Sequence, residues 1–320
     1  MDSGKHDALL GVSSDSEFPR LDYEGWRETK ETLHRFEQVV GKLRLASSAR
    51  QNHWWNVPFH LTGSGITTRP MGRDVIFTID FDFIDHRLQI ATGRGQRVGF
   101  SLVGHSVASF TVAVMQGLKS VGVNEEMSHP YPFALPDSER RFDEDNEHET
   151  YDPQAVTTYW RILSAVNLVL AEFAARWSGK TSPVHHFWHT FDLAVTRFGE
   201  KVISHPRTVD LVTREAYSRQ VISFGFWFGD PTYPRPAFYA YAAPEPAGVT
   251  ESDLEPSAAR WVDRGGSHLA VLDYDEVRAS EDPRTVILNF LESAYRAVDS
   301  RISFNFATLD CANGVTDPLH

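Results

Sequence analysis

Val75-Ile76-Phe77-Thr78-Ile79-Asp80-Phe81-Asp82-Phe83 alternates along its length: Val75, Phe77, Ile79, Phe81 and Phe83 point one way, Ile76, Thr78, Asp80 and Asp82 the other. A period of two belongs to a strand with one buried face, and the polar face of this one carries two carboxylates. Short runs rich in Val, Ile, Phe and Trp surround it, at His53 to Leu61, His86 to Thr92 and Arg97 to Leu102, separated by Gly, Pro and Asp. Their connections are too short for parallel crossovers, which predicts antiparallel pairing. Upstream, Trp26, Thr29, Leu33, Phe36, Val40 and Leu43 recur at helical spacing, and the helix is expected to stop near Gly41 to Arg44. Downstream, Ser106 caps a second helix through Val107, Phe110, Val114, Leu118 and Val121, closed by Gly122.

The order of helix, four strands and helix then recurs. Asp152-Pro153 opens a helix with apolar stripes at Val156, Trp160, Leu163, Leu170 and Trp177 and at Tyr159, Ile162, Val166, Val169 and Phe173, ended by Gly179. Strand-like segments follow at Val184 to Phe198, Val221 to Phe228, Ala237 to Ala243 and His268 to Leu272. Asp282-Pro283 opens a last helix with Ile287, Phe290, Leu291, Ala294 and Val298 inward. Gly41-Lys42 before Asn52-His53-Trp54-Trp55 is echoed by Gly179-Lys180 before His185-His186-Phe187-Trp188. The expected fold is α+β: two pseudo-repeated helix, four-strand, helix halves with mainly antiparallel sheet, packed as one unit. Its expected divisions are a polar N-terminal tail at 1–20, a first half at 21–136, an acidic linker at 137–151, a second half at 152–302 and a C-terminal tail at 303–320.

Composition narrows the function classes. The chain has 320 residues, 41% of them hydrophobic, and 31 Lys+Arg against 43 Asp+Glu give a net charge of −12. Without a basic stripe, neither nucleic acid nor an anionic membrane is expected as a partner. The most apolar run, Val166 to Ala175, is interrupted by Asn167 and Glu172, and a span needs about 20 apolar residues. Cys311 is the single cysteine, which leaves no internal disulfide and no CxxC site. Met1 to Pro19 lacks the apolar centre of a secretion signal, so a cytoplasmic location is expected. Gly93-Arg94-Gly95 lies between two strands and reads as a hairpin turn; there is no nucleotide-binding motif, HExxH or GxSxG.

Strings rich in Trp and His run nearly the length of the chain in a fixed order. They are Thr32-Leu33-His34, Val40-Gly41-Lys42, Asn52-His53-Trp54-Trp55, Ile79-Asp80-Phe81-Asp82-Phe83 through His86, and Gly179-Lys180 with Ser182-Pro183-Val184-His185. Phe187-Trp188, Phe191-Asp192-Leu193-Ala194, Thr196-Arg197-Phe198, Glu215-Ala216-Tyr217-Ser218, Gly225-Phe226-Trp227 and Phe238-Tyr239-Ala240-Tyr241 continue the series. By these the chain resembles the mainly bacterial family called domain of unknown function five-nine-nine-six. The resemblance implies membership and supplies no activity, substrate or catalytic residue. It also marks departures: the family pattern has glycine at His189, a His-Glu pair at Arg219-Gln220 and glutamate at Phe133, which implies a chemically altered member.

The densest chemistry is His185-His186-Phe187-Trp188-His189, with Asp192 and Arg197 downstream. On a helix His185 and His189 would chelate a metal together. Pro183 and the aromatic crowding favour a strand, in which four positions span roughly 13 Å, so further ligands such as His53 would have to come from neighbouring strands. Asp80 and Asp82 share a strand face, and paired carboxylates in a cleft raise one pKa, as a general acid requires. Trp55, Tyr217, Trp227, Tyr239 and Tyr241 suit an aromatic pocket. The acidic run Asp143 to Asp152 lacks the glycine and closing glutamate of a calcium loop and reads as a solvated connection.

These residues are expected to meet between the halves. His185, His186, Asp80, Asp82 and Asp192 would exchange protons, Arg197 would hold an anionic group, and His185, His189 and His53 would bind a divalent transition metal where one is used. The leading expectation is a small-molecule enzyme using His/Asp acid–base chemistry, an oxidoreductase or hydrolase if metal-dependent. The alternative is a non-catalytic protein that uses the aromatic pocket to bind a small ligand or to form a homodimer.

Overall fold

The computed structural model describes residues 17–302 and 305–317. The expected N-terminal tail lies outside the described residues except for 17–20, as do 303, 304 and 318–320 of the expected C-terminal tail. Asp22 accepts the Gly25 N–H and caps α1 (Tyr23–Ser47). The helix does not stop near Gly41; that glycine sits within it because the Trp188 indole lies against the backbone, where a Cβ would come within 2.2 Å of the ring. An antiparallel meander follows: β1 (His60–Leu61), β2 (Gly65–Thr67), β3 (Phe77–Asp82), β4 (Arg87–Thr92) and β5 (Arg97–Ser101). The buried side of β3, Phe77, Ile79 and Phe81, faces α1 and the Ser106-capped α2 (Val107–Ser120). There the Phe36 and Phe110 rings stack at 4.0 Å.

The segment read as a strand from His53 is instead a 3-10 turn, Asn52–Trp54, and only His60–Leu61 joins the sheet. His53 and Trp54 take left-handed φ values of 56° and 61°, which a strand cannot contain.

Asp152 caps α3 (Pro153–Ala175) through the N–H groups of Gln154 and Ala155. The second sheet comprises β6 (His185–Phe187), β7 (Asp192–Val202), β8 (Arg219–Trp227), β9 (Ala237–Ala243), β10 (Arg260–Asp263) and β11 (His268–Asp273). Its order is β10-β11-β9-β8-β7-β6, antiparallel throughout. α4 (Leu211–Ala216) precedes β8, and α5 (Tyr274–Arg278) and α6 (Pro283–Asp299) follow β11. What reads as one strand from Val184 to Phe198 is two, parted at a turn where Phe191 adopts φ 57°. Leu193 and Val195 with Ile222, Phe224 and Phe226 form the face that packs on α3 and α6. The sheets meet edge to edge: the Phe59 N–H donates to the His186 carbonyl at 2.8 Å and the His186 N–H to the Phe59 carbonyl at 3.1 Å.

The fold is therefore α+β with two antiparallel sheets. Helix, sheet and helix recur in both halves, but strand counts of five and six replace the four and four expected, and duplication is not confirmed. Residues 137–151 are largely exposed, as expected of a solvated connection, but the segment is anchored to the core. Phe142 and Asp145 are buried, and the Asp145 and His148 carbonyls accept from Ala108 and Val107 at 2.8 and 3.0 Å, satisfying open N–H groups of α2. Beyond α6, Phe306 is fully buried and its carbonyl accepts the Trp177 indole N–H at 2.8 Å. No helix among the described residues is long and apolar enough to cross a membrane.

Candidate functional site

Residues directly opposite in antiparallel strands share a face. The register thus sets Phe187, Asp192 and Trp227 in one row, His185, Ala194, Gly225 and Tyr239 in the next, and Thr196, Ser223 and Tyr241 in a third. These rows floor a cavity of about 400 Å³, covered by Trp54 and Trp55 from the 3-10 turn and by Val212, Ala216 and Tyr217 at α4. The left-handed backbone at His53 and Trp54, strained for non-glycine residues, is held by the His53 N–H donating to Glu215 Oε1 at 3.0 Å.

Gly225 shapes the floor. A Cβ there would fall 2.4 Å from the Tyr239 hydroxyl, so its absence lets the Tyr239 ring lie across β8 and donate to Asp192 Oδ2. The Thr190 hydroxyl donates to Asp192 Oδ1. Further along, Tyr217 and Tyr241 share a hydroxyl hydrogen bond of 2.9 Å, and the Thr196 and Ser223 hydroxyls lie 2.5 Å apart. Trp227 meets Tyr239 edge-on at 5.6 Å, and Tyr239 and Tyr241 stack at 6.1 Å. Burial, with the Asp192 charge, pushes the Tyr239 phenol well above its usual value; burial and Tyr217 do the same for Tyr241. Both remain protonated donors near neutral pH.

The pocket histidines are held toward neutrality. His53 Nδ1 faces the carbonyls of Glu215 and Ala216 at 3.2 and 3.3 Å, so it carries the hydrogen. Nε2 then accepts from the Lys180 ammonium at 2.9 Å. Burial, and then the Lys180 charge, lower its pKa. His185 is 1% exposed, its Nδ1 has no hydrogen-bond partner, and its ring stands edge-on to His60 at 5.3 Å. Burial, then His60 and more distant arginines, push it down to about 3. His189 is lowered by burial against an opposing pull from Asp192, and its ring meets Phe133 at 5.7 Å, so two of the departures noted in the sequence touch.

His53, His185 and His189 line one cavity yet bring no three ligand atoms together. Among the described residues the grouping that does is Asp137, Asp145 and His148, whose ligand atoms lie within 4.8 Å of one another. Guanidinium groups already occupy it: Arg35 Nη2 is 2.5 Å from Asp137 and Arg140 Nη1 is 3.5 Å from Asp145.

Four expected site residues lie elsewhere. His186 points to the opposite face of β6, fully buried, with Nε2 2.7 Å from Glu37 Oε2 and 3.2 Å from the Tyr159 hydroxyl. Arg197 also points away, sandwiched between Phe173 at 4.2 Å and Tyr295 at 4.3 Å and donating to the Phe173 carbonyl. Asp80 and Asp82 belong to β3 of the other sheet. Asp82 accepts from Ser64 and from the Ile84 and Asp85 N–H groups, which makes it a turn cap, and burial raises Asp80. Lys180, Thr190, Thr196, Ser223 and Gly225 join the site without having been singled out for it. Gly225 alone carried a signal, since glycine inside a strand marks close approach of another group.

A two-sheet α+β fold with an aromatic, hydroxyl-rich pocket on its second sheet defines the class. The chain belongs to a family of unknown function (DUF5996), whose model matches residues 18–311. No curated protein and no solved structure matches the chain.

Proposed function

We propose that the chain binds a small molecule on the Asp192, Tyr239 and Tyr241 floor beneath Trp54 and Trp55, and retains it rather than transforming it. The observation that carries this reading is the state of the wall groups. Both His53 nitrogens are taken, His185 is pushed down to about 3 and the Tyr239 phenol far up, so these groups offer fixed donors, acceptors and ring faces rather than a proton to exchange near neutrality. The cavity, about 400 Å³, falls in the range of small-molecule sites.

One observation favours a second reading, an acid–base enzyme: His189 lines the same cavity, and although burial lowers its pKa overall, Asp192 opposes that shift. The test is a thermal-shift screen of a small-molecule library against the native chain and Ala194→Phe, which fills the floor. Ligands that stabilise only the native chain support the pocket; equal stabilisation of both contradicts it. Mass spectrometry after incubation with the hits then decides between the readings. Unchanged compound supports retention, and conversion abolished by His189→Ala supports the enzyme.

A further inference from the structure

We infer that the ligand of this pocket is a small organic cation, a protonated amine or quaternary ammonium group seated between the Asp192 carboxylate and the faces of Trp227 and Tyr239. This rests on the pocket reading above and adds the chemical class. Three observations lead to it, beginning with Asp192 itself. The residue is 8% exposed, and among the described residues no lysine or arginine lies within ion-pair distance of it. A buried carboxylate normally has a cationic partner. Here Thr190 and Tyr239 supply neutral hydroxyl donors, and the nearby His189, which burial holds toward its neutral form, makes no ion pair with the group.

The rings tell the same story. Cations of the chain already occupy the aromatic residues of the cover: Lys180 Nζ lies 5.4 Å from the Trp55 centroid and the Arg50 guanidinium 3.9 Å from that of Trp54. No cation of the described residues stands over Trp227 or Tyr239, although Tyr239 donates to the carboxylate and Trp227 shares its row. Trp227 is the residue directly opposite Asp192 in the register. A ring face beside an unpaired carboxylate attracts a positive charge, and most strongly when water is excluded. The third observation is Ala194, in the row next to Asp192 and Trp227, whose small side chain lines the cavity at the same place. The other charged groups of the wall, Arg264 and Asp230, lie 3.9 Å apart, and Asp230 also accepts the Thr232 and Tyr233 N–H groups.

The test is calorimetric titration of the full chain with choline and benzyltrimethylammonium. Each is paired with its uncharged analogue, in which a quaternary carbon replaces the nitrogen, and benzoate serves as the anionic control. The expected result is binding of the cations at least about tenfold tighter than of their analogues. Asp192→Asn should weaken the cations about tenfold and leave the analogues within about twofold. Trp227→Leu, which leaves the hydroxyl contacts of Asp192 intact, provides the same comparison should Asp192→Asn fail to fold. Analogues or benzoate that bind as tightly as the cations, or cation affinities unmoved by both substitutions, would overturn the inference while the pocket reading stands. If none of these compounds binds but neutral or anionic library members still discriminate the native chain from Ala194→Phe, the cation class alone falls. If no compound discriminates them, the pocket reading falls with it.

Discussion

Two neutral imidazoles, His60 and His185, lie 5.3 Å apart inside the protein, and their burial makes stability depend on acidity. Each is lowered from 6.5 to about 3, chiefly by desolvation. A base whose folded pKa is depressed binds its proton more readily when unfolded. Its contribution is therefore complete above about 6.5 and is lost as pH falls toward 3. Urea midpoints of the native chain should decline through this window, and His185→Gln should decline less steeply. Equal slopes would show that the imidazole is not kept neutral by the fold. The residue types of the site were legible in the sequence, but their direction was not. Asp192 and Arg197 are five positions apart, and His185 and His186 are neighbours, so each pair is divided between faces of the sheet. Nothing in a single sequence states which parity faces the pocket. Glu37 gave no signal at all, because a carboxylate within an apolar stripe ordinarily faces water, whereas this one is sealed against His186.

The long helices were readable because caps and a period near 3.6 agree: Asp22, Ser106, Asp152 and Asp282 each accept a first-turn N–H. Errors arose where glycine had two meanings. Gly41 looked like a terminator and is a contact surface for Trp188, and Gly225 is a contact surface for Tyr239. Strand ends were also elusive. β2 and β10 have three and four residues, too few to establish a period, and a turn conceals the break between β6 and β7. Gly225→Ala should cost about 1–3 kcal/mol by overpacking, despite alanine's better fit to regular structure. It should also detach Tyr239 from Asp192. Denaturant unfolding measures the first effect and ligand affinity the second. A stabilised variant with unchanged affinity would mean that the ring is not seated on that glycine.

Across the whole molecule, antiparallel α+β architecture followed from short connections between alternating runs, while the joining of the sheets through Phe59 and His186 did not, since one bridge leaves no periodic trace. At residues 137–151 the acidic composition matched the exposure of Asp143, Glu144, Glu147 and Glu149 but concealed the anchor at Asp145. Arg35, 4% exposed on α1, draws Asp137 and Asp145 inward. Removing it would take from Asp137 its closest cation and leave the buried Asp145 to Arg140 and His148, and Arg35→Ala should lose roughly 3 kcal/mol. That loss should appear in denaturant unfolding and in faster hydrogen exchange at the start of α2, which the 137–151 segment caps. Exchange unchanged there would dissociate the segment from the helix.

Seven of the eight tryptophans permit a direct test of the pocket, because Trp54, Trp55 and Trp227 line it while Trp26, Trp160, Trp177 and Trp188 are buried elsewhere; the eighth, Trp261, is half-buried on β10. In fluorine NMR of protein labelled with fluorotryptophan, titration with a pocket ligand should move the resonances of the first three and leave the other four in place. Shifts confined to the buried four, or a pocket trio that stays fixed while a ligand demonstrably binds, would contradict the account.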